Sequence, residues 1–296
     1  MRTAFINQLI EEARINPQIF LIVGDLGYSV VEPFAAEFPD RFLNAGIAEQ
    51  NMTGIAAGLA KEGYTVFTYS IGNFPTLRCM EQIRYDVCYH NLDVKIVAVG
   101  GGYAYGALGV SHHTTEDIGM LRTIPNLTVC APGDPVEAKL VTSYLCNNKQ
   151  PGYIRLGKAG EPVIHSAADI ITFGKILPVI EGKGTAVLTT GGMLAYAADH
   201  IRQHSLSWSL YSVPVIKPMD TISLTAIAKK YPHLITMEEH QASGGFGSAV
   251  LEALNQIRNL GLIDLIPLLK IVAIPDKFIG YAGTQKFLQN EAGLIL

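Results

Sequence analysis

Along the first half of the chain, short β-branched apolar runs alternate with stretches in which apolar residues recur at helical spacing. The runs Phe20–Val23, Thr65–Tyr69, Val94–Val99, Leu127–Cys130 and Gly152–Ile154 read as strands. Helical spacing predicts helices over Thr3–Asn16, Glu49–Glu62, Thr76–His90, Thr115–Leu121 and Pro135–Asn147. Alternation of this kind builds a parallel sheet covered by helices. The helix Pro135–Asn147 carries its own start signal: Asp134 is a good N-cap, Pro135 suits the first helical position, and Glu137 sets a carboxylate in the first turn, where the macrodipole favours it.

From Ser166 to Gly184 the pattern weakens around Pro178 and three glycines, which places a linker at 166–184 between a first domain, 1–165, and a second, 185–296. The second domain repeats the alternation, with strands at Thr185–Thr189, Ser209–Val213, Leu234–Met237 and Leu269–Ala273. Its helices are expected at Gly192–His204, Ser223–Lys230 and Gly245–Asn259, and residues after Pro275 read as loop and a short helix. The expected fold is α/β: two doubly wound, mostly parallel-sheet domains, each with its own core.

Composition narrows the class. A formal charge of −4 gives no basic footprint, so nucleic acid is not an expected partner. Apolar residues make up 49% of the 296 positions and charged ones only 16%, yet no apolar run reaches the ~18 residues of a membrane span. Extensive burial between subunits accounts better for that balance. Met1–Glu12 alternates in a helical pattern rather than as a signal peptide, and the 4 cysteines show no CxxC spacing, as expected for a reduced, cytoplasmic protein.

The stretch Phe42–Lys61 is the chemically informative one. It is rich in small residues (Ala45, Gly46, Ala48, Gly54, Ala56, Ala57, Gly58, Ala60), with Ile47, Ile55 and Leu59 at helical spacing, so it reads as a helix gripped on several sides. One carboxylate, Glu49, sits on it. Burial raises a carboxylate's pKa until its neutral form competes, which suits an acid that shares a proton with a ligand nitrogen. The alternative is an exposed Glu at a helix start.

Asn44-Ala-Gly-Ile-Ala-Glu-Gln-Asn-Met52, followed by Ala56-Ala-Gly-Leu-Ala60 and Gly63, resembles the pyrimidine-binding domain of the transketolase family, which includes 1-deoxyxylulose-5-phosphate synthases and stand-alone C-terminal transketolase subunits. The resemblance covers most of the chain. It implies that Glu49 hydrogen-bonds the aminopyrimidine of thiamine diphosphate and promotes its imino tautomer. Asp25 and Leu26, closing the first strand, match an Asp-Leu pair that meets the cofactor; a turn with an Asp cap is the plainer reading. Phe74 is the candidate for the aromatic side chain that stacks on the pyrimidine, with an ordinary core role as its alternative. Gly109-Val-Ser-His-His113 resembles the family's Gly-Pro-Thr-His-Gln, so His112 falls on the histidine that contacts donor substrate and the reacting oxygen, and His113 on the Gln. Adjacent residues of a strand or loop point apart, so the two histidines are not expected to bind metal together. Arg155 matches an arginine that binds substrate phosphate; a surface ion pair is the alternative. Glu238-Glu-His240 and Gly244-Gly-Phe-Gly-Ser-Ala249 resemble the family's C-terminal domain, where close helix packing is preferred to an anion cradle.

Two departures carry expectations. Leu108 replaces the family's donor-reading Asp and Gly100–Gly102 replace an upstream polar residue, which puts the ordinary sugar-phosphate donor in doubt. The Gly-Asp-Gly and downstream Asn that hold diphosphate and Mg²⁺ are absent, so an N-terminal partner subunit is expected to supply them, in a heterotetramer built on a homodimer core. The resemblance thus implies the C-terminal subunit of a split enzyme transferring a two-carbon ketol unit between sugar phosphates. The alternatives are the beta subunit of a 2-oxo-acid dehydrogenase and an inactive scaffold.

Overall fold

β-Branched and aromatic residues place five strands where the apolar runs predict them, β1 (Ile19–Val23), β3 (Thr65–Ile71), β4 (Val94–Val99), β5 (Thr128–Cys130) and β6 (Gly152–Leu156), and a short edge strand the runs do not predict, β2 (Phe42–Asn44), forms between β1 and β3 in the chain. The computed structural model describes residues 1–166 and 169–296. β7 (Leu177–Ile180), β8 (Thr185–Thr189), β9 (Ser209–Ser212), β10 (Val215–Lys217), β11 (His233–Gln241) and β12 (Leu268–Ile274) follow. They form a 7-stranded sheet of order β10-β5-β6-β4-β3-β1-β2 and a 5-stranded sheet of order β12-β11-β8-β9-β7. Every pairing is parallel except β10 with β5 and β7 with β9, so each sheet carries one antiparallel edge strand. β4 is buried at all 6 positions, as a parallel strand covered on both faces must be.

Three strands depart from the expected layout, β2 among them because it opens a stretch expected to be helical. β10 lies in the second half of the sequence but completes the first sheet, with Val215 opposite Cys130. The expected linker 166–184 contains β7, and its Ala167 and Ala168 lie outside the described residues. The domains also share burial: a single cluster of buried side chains runs from Ile22, Met52 and Ile96 in the first sheet to Phe246, Leu254 and Ile257 in the second unit. On the other face of the first sheet, the helices Arg2–Ile15 and Pro135–Asn147 cover a separate cluster around Phe5, Phe67 and Val141. Among the described residues, no helix is long and apolar enough to cross a membrane.

Candidate active site

Phe42–Lys61 is not one helix. Phe42–Asn44 pairs in parallel with β1, and the helix starts at Glu49, leaving a connector over Ala45–Ala48. This puts Glu49 on the first turn, beside the carboxyl ends of β1 and β3, where parallel sheets bind ligands. The Glu49 side chain is only 2% exposed. Ser70 Oγ, from β3, donates to its Oε1 at 3.3 Å, and Arg78 Nη1 pairs with its Oε2 at 2.8 Å. Gly24 makes room, since a Cβ there would lie 3.3 Å from Ser70 Oγ and 3.4 Å from Glu49 Cγ.

Arg78 links this acid to the aromatic loop, its guanidinium carbon lying 4.7 Å from the Phe74 ring centre. The half-buried Phe74 in turn meets His112 edge-on, with ring centres 5.3 Å apart at 75°. Asn73 fastens the histidine loop by donating to the carbonyls of Ser111 (3.2 Å) and His113 (2.7 Å). His112 Nδ1 lies 3.0 Å from Ser111 Oγ, and partial burial lowers the His112 pKa, so the ring is neutral at pH 7. His113 diverges from it and packs edge-on against Tyr103 at 5.0 Å, buried, with its pKa also lowered by desolvation. Asp25 bends the end of β1 with φ of 52°; its N–H donates to Asn44 Oδ1 at 3.1 Å, while Asn44 Nδ2 returns a bond to its Oδ1 at 2.9 Å. The half-buried Leu26 packs against the core beneath that turn.

A buried carboxylate, a flat apolar ring and a neutral imidazole in one contiguous group fit a nitrogen heteroaromatic ligand and a proton-transfer partner. Comparison with known proteins agrees. Residues 1–160 match the family model for the transketolase pyrimidine binding domain, and residues 174–269 match that for the transketolase C-terminal domain.

The chain belongs to the transketolase family.

It is 32% identical over 294 residues to an apulose-4-phosphate transketolase subunit of Phocaeicola vulgatus, covering 98% of this chain and 92% of that one. It is 32% identical to a 6-deoxy-6-sulfo-D-fructose transketolase subunit of Clostridium sp., covering 99% and 90%. A solved structure described as a split gene transketolase, inactive β4 tetramer, superposes with TM-score 0.84 at 31% identity over 99% of this chain and 93% of that one.

Within this transketolase-family chain, Glu49, Phe74 and His112 form one connected group, and Asp25 and Leu26 adjoin it through Gly24. Arg155 lies apart from this group. Its side chain is 6% exposed, its Nε pairs with Asp117 at 2.9 Å, and one Nη donates to the Thr114 and Glu239 carbonyls. It is a buried cation at the seam between the domains rather than a surface ion pair, and it also lines a cavity of about 460 Å³. The glycine run beside it is set by close neighbours: Cβ atoms at 101 and 102 would lie 2.5 Å from Arg155 Nε and 2.4 Å from Glu239 Cδ. The glycine cluster before the helix Phe246–Asn259 does receive an acidic side chain, and that side chain is internal. Glu238 accepts from the Phe246 (2.5 Å) and Gly247 (2.7 Å) amides.

Sequence reasoning assigned no role to Arg78, Ser70, Asn73 or Asn44. Ser70, Asn73 and Arg78 stand in the segment Tyr69–Arg78 around Phe74, and that position was the available signal. One further acid–histidine group, Asp134, Glu137 and His165, has ligand atoms within 4.8 Å of one another. Protein donors already engage it: the Glu137, Ile164 and His165 amides on Asp134, and the Gly133 amide and the His165 ring on Glu137. It clasps the chain leaving the first domain.

Proposed function

We propose that this chain is the C-terminal, pyrimidine-binding subunit of a split, thiamine-diphosphate-dependent transketolase that transfers a two-carbon ketol unit between sugar phosphates. The contact series Glu49–Arg78–Phe74–His112 carries the reading. When bound, thiamine diphosphate supplies the carbon nucleophile that takes up the two-carbon unit. Glu49 would hold the aminopyrimidine. Because Arg78 fixes Oε2 and Ser70 reaches Oε1 only at 3.3 Å, Oε1 is the oxygen free to share a proton with the ring nitrogen. Phe74 gives the pyrimidine an apolar face, and neutral His112 can exchange a proton with the substrate oxygen. His113 stands behind it at the substrate end. Arg155 serves as a positioning residue that holds the Thr114 carbonyl and so the loop carrying both histidines. Lys158, exposed three residues on and lining the same cavity, is a second candidate cation for substrate phosphate.

An N-terminal subunit carrying Gly-Asp-Gly would bring the diphosphate and Mg²⁺ ligands, completing a cytoplasmic heterotetramer around a homodimer of this chain. The relative described as an inactive β4 tetramer supports dependence on such a partner. The donor departs from xylulose 5-phosphate in this reading. Leu108, 56% exposed at the loop tip, offers no hydroxyl-reading group, and the relatives named above are designated for apulose 4-phosphate and 6-deoxy-6-sulfo-D-fructose.

Calorimetry decides the cofactor reading. Tight, Mg²⁺-dependent thiamine diphosphate binding is expected with the partner subunit and not with this chain alone; tight binding to the isolated chain would sink it. A ketose-phosphate panel in which the assembled enzyme ranks xylulose 5-phosphate first would remove the donor reading and leave the cofactor reading standing.

A further inference from the structure

The helix Met193–Gln203 of the second domain ends on two histidines, His200 in its last turn and His204 at its C-cap. Spacing of i and i+4 sets both on one face, the arrangement by which a helix presents two imidazoles to one ion. The rings stack with centres 4.2 Å apart at 27°, and His200 also stacks on Tyr196 at 6.1 Å. His204 is exposed and His200 half-buried, so solvent reaches both. His204 Nδ1 stands 3.0 Å from the His200 carbonyl, which can only accept; in the neutral ring the proton therefore sits on Nδ1 and Nε2 carries the free lone pair. Among the described residues no hydrogen bond engages a His200 ring nitrogen, and neither of its nitrogens is shut off from solvent. Desolvation and the neighbouring imidazole lower the His200 pKa, which keeps this ring neutral at pH 7.

A carbonyl that holds the far N–H of an imidazole is the usual outer support of a metal-ligating histidine, because it fixes the tautomer and the orientation of the ring. No carboxylate completes the group. Asp199, next to His200 in the chain, pairs with Arg202 at 3.9 Å, and no acid contributes to the shift of the His200 ring. Two nitrogen donors without an oxygen anion suit Cu²⁺, Ni²⁺ or Zn²⁺; Mg²⁺ and Ca²⁺ take oxygen ligands instead. The terminal torsion of a histidine ring is soft, so opening the stack to turn one nitrogen of each ring onto a shared ion costs little. We propose that His200 and His204 form a surface site for a divalent transition-metal ion, taking Cu²⁺ most tightly, with water in the remaining coordination positions. The site stands apart from the cofactor reading, whose Mg²⁺ needs oxygen ligands.

The test is an electron paramagnetic resonance titration of the full chain with Cu²⁺ near neutral pH. The first equivalent is expected to form a tetragonal centre with hyperfine splitting from two ring nitrogens. The 4 cysteines are buried and so do not compete for it. His200→Phe keeps a ring against Tyr196, and His204→Gln keeps a polar side chain at an exposed helix end, yet each removes one ligand. Each variant should leave at most a one-nitrogen signal and bind Cu²⁺ about tenfold more weakly. Zn²⁺ should displace Cu²⁺ only in excess, and Mg²⁺ should not displace it. A first equivalent held by a single nitrogen, equal affinity in the wild type and His204→Gln, or displacement by Mg²⁺ would each overturn the proposal.

Discussion

Burying a carboxylate costs several kcal/mol unless a charge or hydrogen bonds offset the lost hydration, and Glu49 is tolerated in its site because Arg78 stands 2.8 Å away. Arg78 is 47% exposed, so water screens the pair, and its worth falls below the 3–5 kcal/mol of a deeply buried one to roughly 1–2 kcal/mol. Arg78→Met is therefore expected to lower the unfolding free energy by about that amount in urea titrations. Once Glu49→Gln has removed the charge, the same change should cost almost nothing, a non-additivity of about 1–2 kcal/mol. Strictly additive costs would show that the two side chains do not act as a unit. In the assembled enzyme, Glu49→Gln should also lose ~10²–10⁴-fold in turnover, as removal of an acid–base group does; a folded variant of normal activity would refute its role. Glu49, Phe74 and His112 could be picked from the sequence through the motifs around them. Arg78 could not, because its partner lies 29 residues back and no local spacing joins them.

At the level of elements, β1, β3, β4 and β6 were legible because they are 5 to 7 residues long, apolar and almost wholly buried, while β2, β7 and β10 were not. Each of these has 3 or 4 residues, too few to establish a period, and β7 contains a proline that only an edge strand accepts. The start of the helix Pro135–Asn147 was read from Asp134, and Asp134 Oδ1 does accept from the Glu137 amide at 2.8 Å. Hidden from local reading was its second task, because Asp134 Oδ2 also takes the Ile164 and His165 amides at 2.9 and 2.8 Å from 30 residues downstream. An ordinary lost N-cap costs about 1 kcal/mol. Asp134→Ala should cost more, roughly 2–3 kcal/mol, since it also strands two buried amides, and proteolysis near residue 165 should quicken. A cost no larger than an ordinary cap would mean that the clasp contributes nothing to holding the connecting chain.

Across the whole molecule, three consecutive residues at the end of β11 anchor their surroundings, and the last two, Glu239 and His240, join the two domains. Glu238 caps the helix Phe246–Asn259, Glu239 accepts from the Tyr103 amide at 3.1 Å and from Gln285 and Gln289, and His240 Nε2 accepts from the Gly119 amide at 3.0 Å. Arg155 and Asp117 complete the seam. The sequence marked this segment as family-like but offered no sign of the seam, whose partners come from five stretches of chain. The seam has a pH signature. Desolvation pushes the Glu238 carboxyl up to about 7 and raises Glu239 as well, while it lowers His240. A carboxyl raised in the folded state keeps a proton that the unfolded chain releases above its ordinary value of 4.5, so stability falls as pH climbs from there to about 7. His240 acts in the opposite sense: the unfolded chain takes up a proton below pH 6.5 that the folded chain refuses, so its contribution is lost as pH falls. Glu238→Gln keeps an acceptor for the helix amides and cannot titrate. Between pH 5 and 7 it should lessen the fall of unfolding free energy by up to about 1.4 kcal/mol per pH unit, the most that one proton can contribute. Urea titrations of both proteins at half-unit steps measure that slope. If the two slopes coincide, Glu238 is ionised throughout the range, and the burial of its carboxylate at the seam is fully offset by the two amides it caps.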